Sequence, residues 1–426
     1  LPPRPPRSTP VTPRRQRQMC IRDSKYPHQG IPGPAIGFLQ ECLRWWDHWL
    51  KGADTGIMDE PMLRAWMQYS VPPTTYYHER PGRWVGEPTW PSPNVVTQDY
   101  ALSWPSTLER NPGSSNEREL TIRSPLSVGL FAGKWCSYAA TPDLPHDQRE
   151  EDGGALVFTS QPLKEAIEIL GASVVELVVG ADRPVAMVAA RLSDVAPDDK
   201  ATRVTYGLLN LTHRESRERP TALQRNSFYR VAIKLNDVAY VFPAGHRIRV
   251  SLSTSYWPLA WPPPEPVRLA VRTGQSRLRL PVRASVQKCD AAIRFASAEG
   301  AAATPMHQLS ESRHNWRVIR DLAEDVSTLE VVNDNGTVYL EEIDLEMQRK
   351  ALELYRYQGD DFSSIQGETL WERGFRRGDW RVRTVTRTRL SSTPSEFVVH
   401  AELDAYEDDK RVFAENWDVR IPRDLV

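Results

Sequence analysis

Between about Val95 and Arg283 the chain is a succession of short β-favouring runs, each closed by a turn signal, and that spacing restricts the region to an all-β sandwich. The clearest runs are Val174 to Val179, Val185 to Leu192, Val204 to Leu211 and Tyr229 to Leu235. From Arg247 to Thr254, Ile248, Val250 and Leu252 alternate with Arg247, Arg249 and Ser251. This is the period of a half-buried strand, entered through the turn Pro243-Ala244-Gly245. The long connections favour a jelly roll over a simple meander.

The flanks read differently. Upstream, Ile36, Leu39, Leu43, Trp46 and Leu50 recur at three- and four-residue steps between Pro34 and Gly52, which predicts a helix over Ala35 to Lys51 with a core-facing stripe. Phe38, Trp45 and Trp49 widen that stripe enough to imply contact on two sides. Met62 to Ser70 reads as a buried strand and Pro72 to Pro93 as a connector. Downstream, the small residues of Ala296 to Thr304 suit a linker or loop. Beyond them, Leu329-Glu330-Val331-Val332 and Thr337-Val338-Tyr339-Leu340 flank Asn333-Asp334-Asn335-Gly336, a pattern that predicts a hairpin. Arg381 to Arg389, Phe397 to Ala405 and Lys410 to Trp417 read as a three-stranded meander with one face buried and the other wet.

Residues 1–24 contain six prolines, six arginines and no acid before Asp23, so they have little to bury and are expected to be disordered. Met19-Cys20-Ile21-Arg22-Asp23-Ser24 resembles the translation of a transposase-adapter end, which makes this segment an expected artefact joined at Lys25 in place of the true N-terminal part. The expected organisation is therefore 1–24 artefactual, 25–94 the end of an upstream domain, 95–288 the sandwich and 289–426 a second, smaller β-rich domain.

Composition excludes several classes of function. A net charge of −1 over 426 residues lacks the basic footprint of a nucleic-acid binder. Cys20, Cys42, Cys136 and Cys289 are scattered without CxxC spacing, so neither a zinc site nor a disulfide framework is indicated and the compartment reads as reducing. No run approaches the roughly 18 apolar residues needed to span a bilayer. A cytoplasmic protein with no membrane contact is expected.

The chemistry of the chain is defined mostly by absences. There is no Gly-x-Ser-x-Gly elbow, no His-Glu-x-x-His helix and no Gly-rich phosphate loop. The nine histidines are spread singly, each better explained structurally than catalytically. Asp194, Asp198 and Asp199 could form an oxygen-rich calcium loop, but Pro197-Asp198-Asp199 is more simply a strand-connecting turn. No metal or cofactor is called for. Tyr256, Trp257 and Trp261, in Tyr256-Trp257-Pro258-Leu259-Ala260-Trp261-Pro262, are candidates for a pocket wall, or else an aromatic plug against a neighbouring domain.

Two groups of motifs carry a resemblance. Trp45-Trp46-Asp47-His48-Trp49-Leu50-Lys51-Gly52, Asp54 to Pro61, Gly82-Arg83-Trp84 and Trp90-Pro91 resemble the end of the hydrolase domain of the CocE/NonD family, which groups cocaine-esterase-like acyl hydrolases with X-prolyl dipeptidyl-peptidases. Asp194-Val195-Ala196-Pro197-Asp198, Leu211-Thr212-His213-Arg214 and Pro243-Ala244-Gly245-His246-Arg247-Ile248-Arg249 are similar to that family's C-terminal jelly roll. The final region, ending Arg420 to Val426, looks like an extension found in one branch.

The resemblance implies a parent serine hydrolase with an α/β-hydrolase fold, a helical cap and a jelly roll packed on both, cleaving a small ester or a peptide without a cofactor. Its serine and aspartate would lie upstream of everything matched here. Its histidine would follow a Gly-Pro-Trp motif where Arg22-Asp23-Ser24 now stand. His28 is the one remaining candidate for the catalytic base, but it lacks that lead-in and has no serine elbow to serve. On this reading the chain carries no catalytic residue and packs on a missing hydrolase domain, and a homodimer is compatible with it. The rival reading is a non-catalytic β-sandwich module that binds carbohydrate or peptide.

Overall fold

The computed structural model describes residues 34–110, 117–135, 142–284, 288–299 and 304–426. His28, Cys20 and Cys136 lie outside the described residues. Among those described, Cys42 and Cys289 are free thiols, and no helix is long and apolar enough to cross a membrane.

Fifteen strands form one hydrogen-bonded system that folds over on itself as a β-sandwich. One layer runs through Ala201–Asn210, Met187–Val195, Arg247–Ser253, Leu156–Ser160, Thr107–Glu109 and Val95–Ser103. The facing layer is built around Val174–Ala181, with Phe228–Lys234 on one side and Leu269–Arg272 on the other. Arg277–Arg283 belongs to both, pairing along Val95–Ser103 and also reaching Val174–Ala181. Ile248, Val250 and Leu252 enter the shared core with Leu177, Val179, Ile233 and Phe242, as the alternation requires.

The hairpin Leu63–Gln68 and Gly82–Glu87 extends the system through a single parallel contact, Gln68 opposite Tyr240. A buried ionic cluster locks it in place. The fully buried Arg283 guanidinium meets Glu87 at 2.6 Å and Asp290 at 2.7 Å, while Arg83 bonds Glu168 at 2.5 Å.

The helix is Phe38–Lys51, so it begins three residues later than the periodicity indicates. It closes at Gly52, whose φ of 67° lets its N–H and that of Ala53 bond the carbonyls of His48 and Asp47. The expected core-facing stripe is inverted. Ile36 is buried ahead of the helix, but Leu39, Leu43 and Leu50 are 63%, 58% and 75% exposed, and Trp46 and Trp49 are also open. The side turned inward is the charged one. The buried Glu41 bonds Arg44 at 2.8 Å and Arg64 at 2.9 Å, and both arginines also hold Glu60.

A second, eight-stranded sheet follows the linker. From Val326 onward it is a continuous antiparallel meander: Val326–Leu340, Leu345–Gln358, Gln366–Arg377, Trp380–Ser392, Glu396–Glu407 and Lys410–Pro422. Two expectations fail here. First, Asn335-Gly336 does not turn a hairpin. It forms a bulge inside the single strand Val326–Leu340, where the register shifts between Asp334 and Thr337. Gly336 takes φ 65°, its N–H bonds Asp334 Oδ1 at 2.9 Å, and the strand changes edge partner at this point from Arg313–Asp321 to Met306–Gln308. The local chemistry that suits a two-residue turn also suits a bulge, and the long partner strand decides between them. Second, the meander has no fully buried face. Glu396–Glu407 is half-buried along nearly all its length and Lys410–Pro422 is exposed throughout.

The second sheet meets the sandwich at one end only. Leu329, Val331, Tyr357 and Ile365 pack on Leu126, Leu130 and Trp257. The chain terminus adds a clasp in which Asn210 Nδ2 and Thr212 Oγ1 both donate to the Leu425 carbonyl at 2.9 Å, and Arg423 Nη2 donates to the Pro262 carbonyl at 2.6 Å.

The bulge is directly testable. A Cβ at position 336 would sit 2.3 Å from the Ser310 carbonyl oxygen on a backbone that disfavours L side chains. Gly336→Ala should lower stability by about 1–3 kcal/mol, whereas the same change at Gly378, which has open space around it, should cost only its φ penalty. Urea denaturation of the two variants compares them.

Candidate functional site: a cleft around Asp194 and His246

Where the segment after the first hairpin strand crosses the ends of the sandwich strands, it leaves a cleft of about 410 Å³ lined by Ser70, Pro72, Asp194, Lys200, Thr202 and His246 among others. Asp194 comes from the end of Met187–Val195 and His246 from the turn before Arg247–Ser253. That turn is pinned to the sandwich: Gly245 N–H bonds the Leu163 carbonyl and Leu163 N–H bonds the His246 carbonyl, both at 2.8 Å. Gly245 supplies the φ of 81° the turn needs.

The Asp194 carboxylate is almost wholly buried and serves three donors. Ser70 Oγ reaches Oδ2 at 2.6 Å, Tyr240 hydroxyl reaches Oδ2 at 2.8 Å, and His246 Nδ1 lies 2.8 Å from Oδ1. Burial, reinforced by the Asp194 charge, holds the Tyr240 hydroxyl well above its ordinary pKa, so it remains a donor. The carboxylate oxygen is an acceptor, so His246 meets it through its Nδ1 side and the ring is held in one orientation at the cleft.

Serine, aspartate and histidine therefore meet here, but not in the wiring of a hydrolytic triad. In a triad the histidine accepts the serine proton and the aspartate stands behind the histidine. Here the Ser70 hydroxyl is spent on the carboxylate itself. The arrangement can hold a rigid imidazole at the cleft and fix the loop at Ser70, but it activates no nucleophile.

The calcium alternative is not built. Asp194 is occupied as described, Asp198 pairs with Lys200 at 2.9 Å, and Asp199 pairs with Arg247. Among the described residues no group of three or more His, Cys, Asp or Glu could hold a metal ion.

The three aromatic candidates lie elsewhere, Tyr256 inside the sandwich and Trp257 and Trp261 at the base of the second sheet. Tyr256 is fully buried, its hydroxyl accepting from Arg203 Nη1 at 2.7 Å and its ring 5.8 Å from that of Tyr206. Trp257 is also buried, edge-on to Trp261 at 4.9 Å and to Tyr355 at 5.9 Å. Trp261 bonds Ser392 Oγ at 3.0 Å and packs edge-on against Phe397. The structure thus uses Trp257 and Trp261 as packing between the sandwich and the second sheet and Tyr256 as packing within the sandwich, and gives Tyr256 and Trp257 no open surface. Nothing in the sequence set out Ser70 or Tyr240 as partners of Asp194. They stand 124 and 46 positions away, and the only local signal was the resemblance carried by the Asp194 and His246 motifs.

Residues 55–319 match the X-Pro dipeptidyl-peptidase C-terminal non-catalytic domain, and the chain belongs to that family. It is 27% identical over 248 residues to the Mycobacterium bovis protein named "Putative serine esterase Mb1866c", a match that spans 53% of this chain and 37% of that protein. It is 25% identical over 186 residues to the cocaine esterase of a Rhodococcus species, spanning 41% of this chain and 32% of the esterase. A solved CocE/NonD family hydrolase from Staphylococcus aureus aligns at 15% identity with a TM-score of 0.43, over 57% of this chain and 45% of that one. The chain thus spans less than half the length of each of these relatives.

Asp194→Ala should strand three donors around an empty acceptor position and cost about 2–4 kcal/mol, whereas Tyr240→Phe, which removes one donor, should cost about 1 kcal/mol. Urea denaturation read by tryptophan fluorescence checks both. Equal costs would show that the carboxylate does not organise the cluster.

Proposed function

We propose that this chain is the accessory part of an acyl serine hydrolase acting on a small ester or a peptide, and that its Ser-His-Asp machinery belongs to residues outside these 426. The observation that carries the reading is the inverted helix Phe38–Lys51. A helix that ends at solvent turns its charges outward. This one buries Glu41 in an ion-pair network and leaves Leu39, Leu43, Trp46, Trp49 and Leu50 exposed. The hydrolase domain to which residues 25–94 would belong is the natural cover for that face.

In the assembled enzyme a serine would attack the ester or amide carbonyl, a histidine would carry its proton to the leaving group, an aspartate would orient the histidine, and backbone N–H groups would hold the oxyanion. The part assigned to this chain is structural. The sandwich fixes the hairpin Leu63–Glu87 through the Arg283 cluster, and the hairpin side holds the helix through Arg64. The catalytic domain is thereby given a preformed apolar seat. The scattered cysteines, without a disulfide pattern, support a cytoplasmic setting. The binding-module reading draws no support from the aromatic cluster, whose rings are engaged in packing.

Two measurements test the proposal. A fluorophosphonate probe should label no serine of this chain, and stoichiometric labelling would overturn the assignment. Replacing Leu39, Leu43 and Leu50 together by glutamate should abolish most binding of an apolar dye while changing stability by no more than about 0.5 kcal/mol per site. A large loss of stability would mean that the face is already covered within this chain.

A further inference from the structure

Among the described residues the strand Lys410–Pro422 forms one edge of the second sheet, paired only with Glu396–Glu407. Its outer side is therefore a row of backbone donors and acceptors. The register fixes which residues supply them. Glu396 stands opposite Pro422, and Arg423 N–H bonds the Ser395 carbonyl, so Pro422 lies at a position that exchanges no bonds with its inner partner. By alternation Asn416, Asp418 and Arg420 turn their N–H and C=O groups to the free edge. Proline sits at the one such position where no N–H is offered.

Long free edges are ordinarily blunted by inward charges, bulges or a covering loop. Here the final stretch is Trp417-Asp418-Val419-Arg420-Ile421, with Trp417, Val419 and Ile421 on one face at 42%, 44% and 47% exposure and Asp418 and Arg420 on the other.

We propose that this edge pairs with the same edge of a second copy of the chain, antiparallel about a two-fold axis at Val419, so that the two sheets join into one. In that register Asp418 of each copy faces Arg420 of the other, Trp417 faces Ile421, and Val419 faces itself. Asp418 and Arg420 are the residues whose backbone groups point outward, so each cross-pair exchanges two backbone hydrogen bonds and carries a complementary charge pair. Asn416 N–H then meets the Pro422 carbonyl, which needs no proline donor. Moving the axis by one residue in either direction sets Asp418 against Asp418 or Arg420 against Arg420. The charge pattern therefore selects a single register, and it fits a second copy of this chain better than an arbitrary extended peptide.

Within each copy Asp418 already touches His400 Nδ1 at 2.6 Å and Arg420 touches Glu396 at 2.9 Å. These contacts hold the two side chains in place at the edge. The paired segment is short, so the association should be weak and reversible.

The experiment is sedimentation equilibrium on the full chain across the micromolar range, with circular dichroism confirming the fold of each variant. The wild type should self-associate. Asp418→Arg and Arg420→Asp should each be monomeric, because each puts like charges opposite one another. Their equimolar mixture should associate again, since one copy then carries two positive charges and the other two negative ones. A monomeric wild type, variants that associate as the wild type does, or a mixture that remains monomeric would each overturn the proposal. Association through the exposed helix face would be indifferent to both substitutions and would be recognised as the second of these.

Discussion

Arg283 is the interaction on which the rest of the molecule depends. Its guanidinium is withdrawn from water and would be strongly destabilising alone, since an unpaired buried charge costs several kcal/mol. It is tolerated because Glu87 and Asp290 meet it at hydrogen-bond distance. Those two carboxylates come from the hairpin ahead of the sandwich and the segment behind it, while Arg283 ends the strand that joins the two sandwich layers. Three stretches of chain remote in sequence are thus obliged to meet at one point. Apolar burial could have supplied comparable energy, but it would not specify the meeting point as narrowly as a charge that needs its partners.

The same logic runs in reverse at the helix Phe38–Lys51. Its ionic side is satisfied by Arg44, Arg64 and Glu60, leaving the apolar side unclaimed. Charge networks decide how the helix is held, and the hydrophobic effect is left as a driving force for whatever covers it. The second sheet shows a related division. It is anchored to the sandwich by Trp257, Tyr357 and the terminal clasp at Leu425, all at one end of its strands, and the opposite strand ends lie away from that contact. Both regions are ordered by a few specific contacts and keep apolar surface in reserve.

The sandwich was largely legible in the sequence because period-two alternation and turn residues are local signals. Ile248, Val250 and Leu252 go where alternation sends them. The helix was legible in position, since Gly52 marks its end, but not in orientation. Periodicity identifies an apolar stripe without saying whether anything lies against it. Asn335-Gly336 misled for a different reason: a left-handed glycine after a short polar residue serves a turn and a bulge equally well, and only the length of the partner strand Leu345–Gln358 separates them. The network around Asp194 was beyond sequence reasoning, because its donors arrive from positions 70, 240 and 246 and no local pattern links them. The aromatic segment Tyr256 to Trp261 gave its composition but not its neighbours: those of Tyr256 are Arg203 and Tyr206, and those of Trp257 and Trp261 include Tyr355, Ser392 and Phe397, far along the chain.

The strand Arg277–Arg283 that belongs to both layers also sets a timetable for synthesis. Arg283 stands opposite Val95, so Val95–Ser103 leaves the ribosome long before its main partner exists. In the interval its only sheet neighbour among the described residues is the three-residue strand Thr107–Glu109. Contacts this remote along the chain are slow to form, and an unpaired strand is prone to wrong partners while it waits. The nascent chain must therefore carry an open sandwich until Arg277–Arg283 has been made, and chaperone engagement should concentrate in that window.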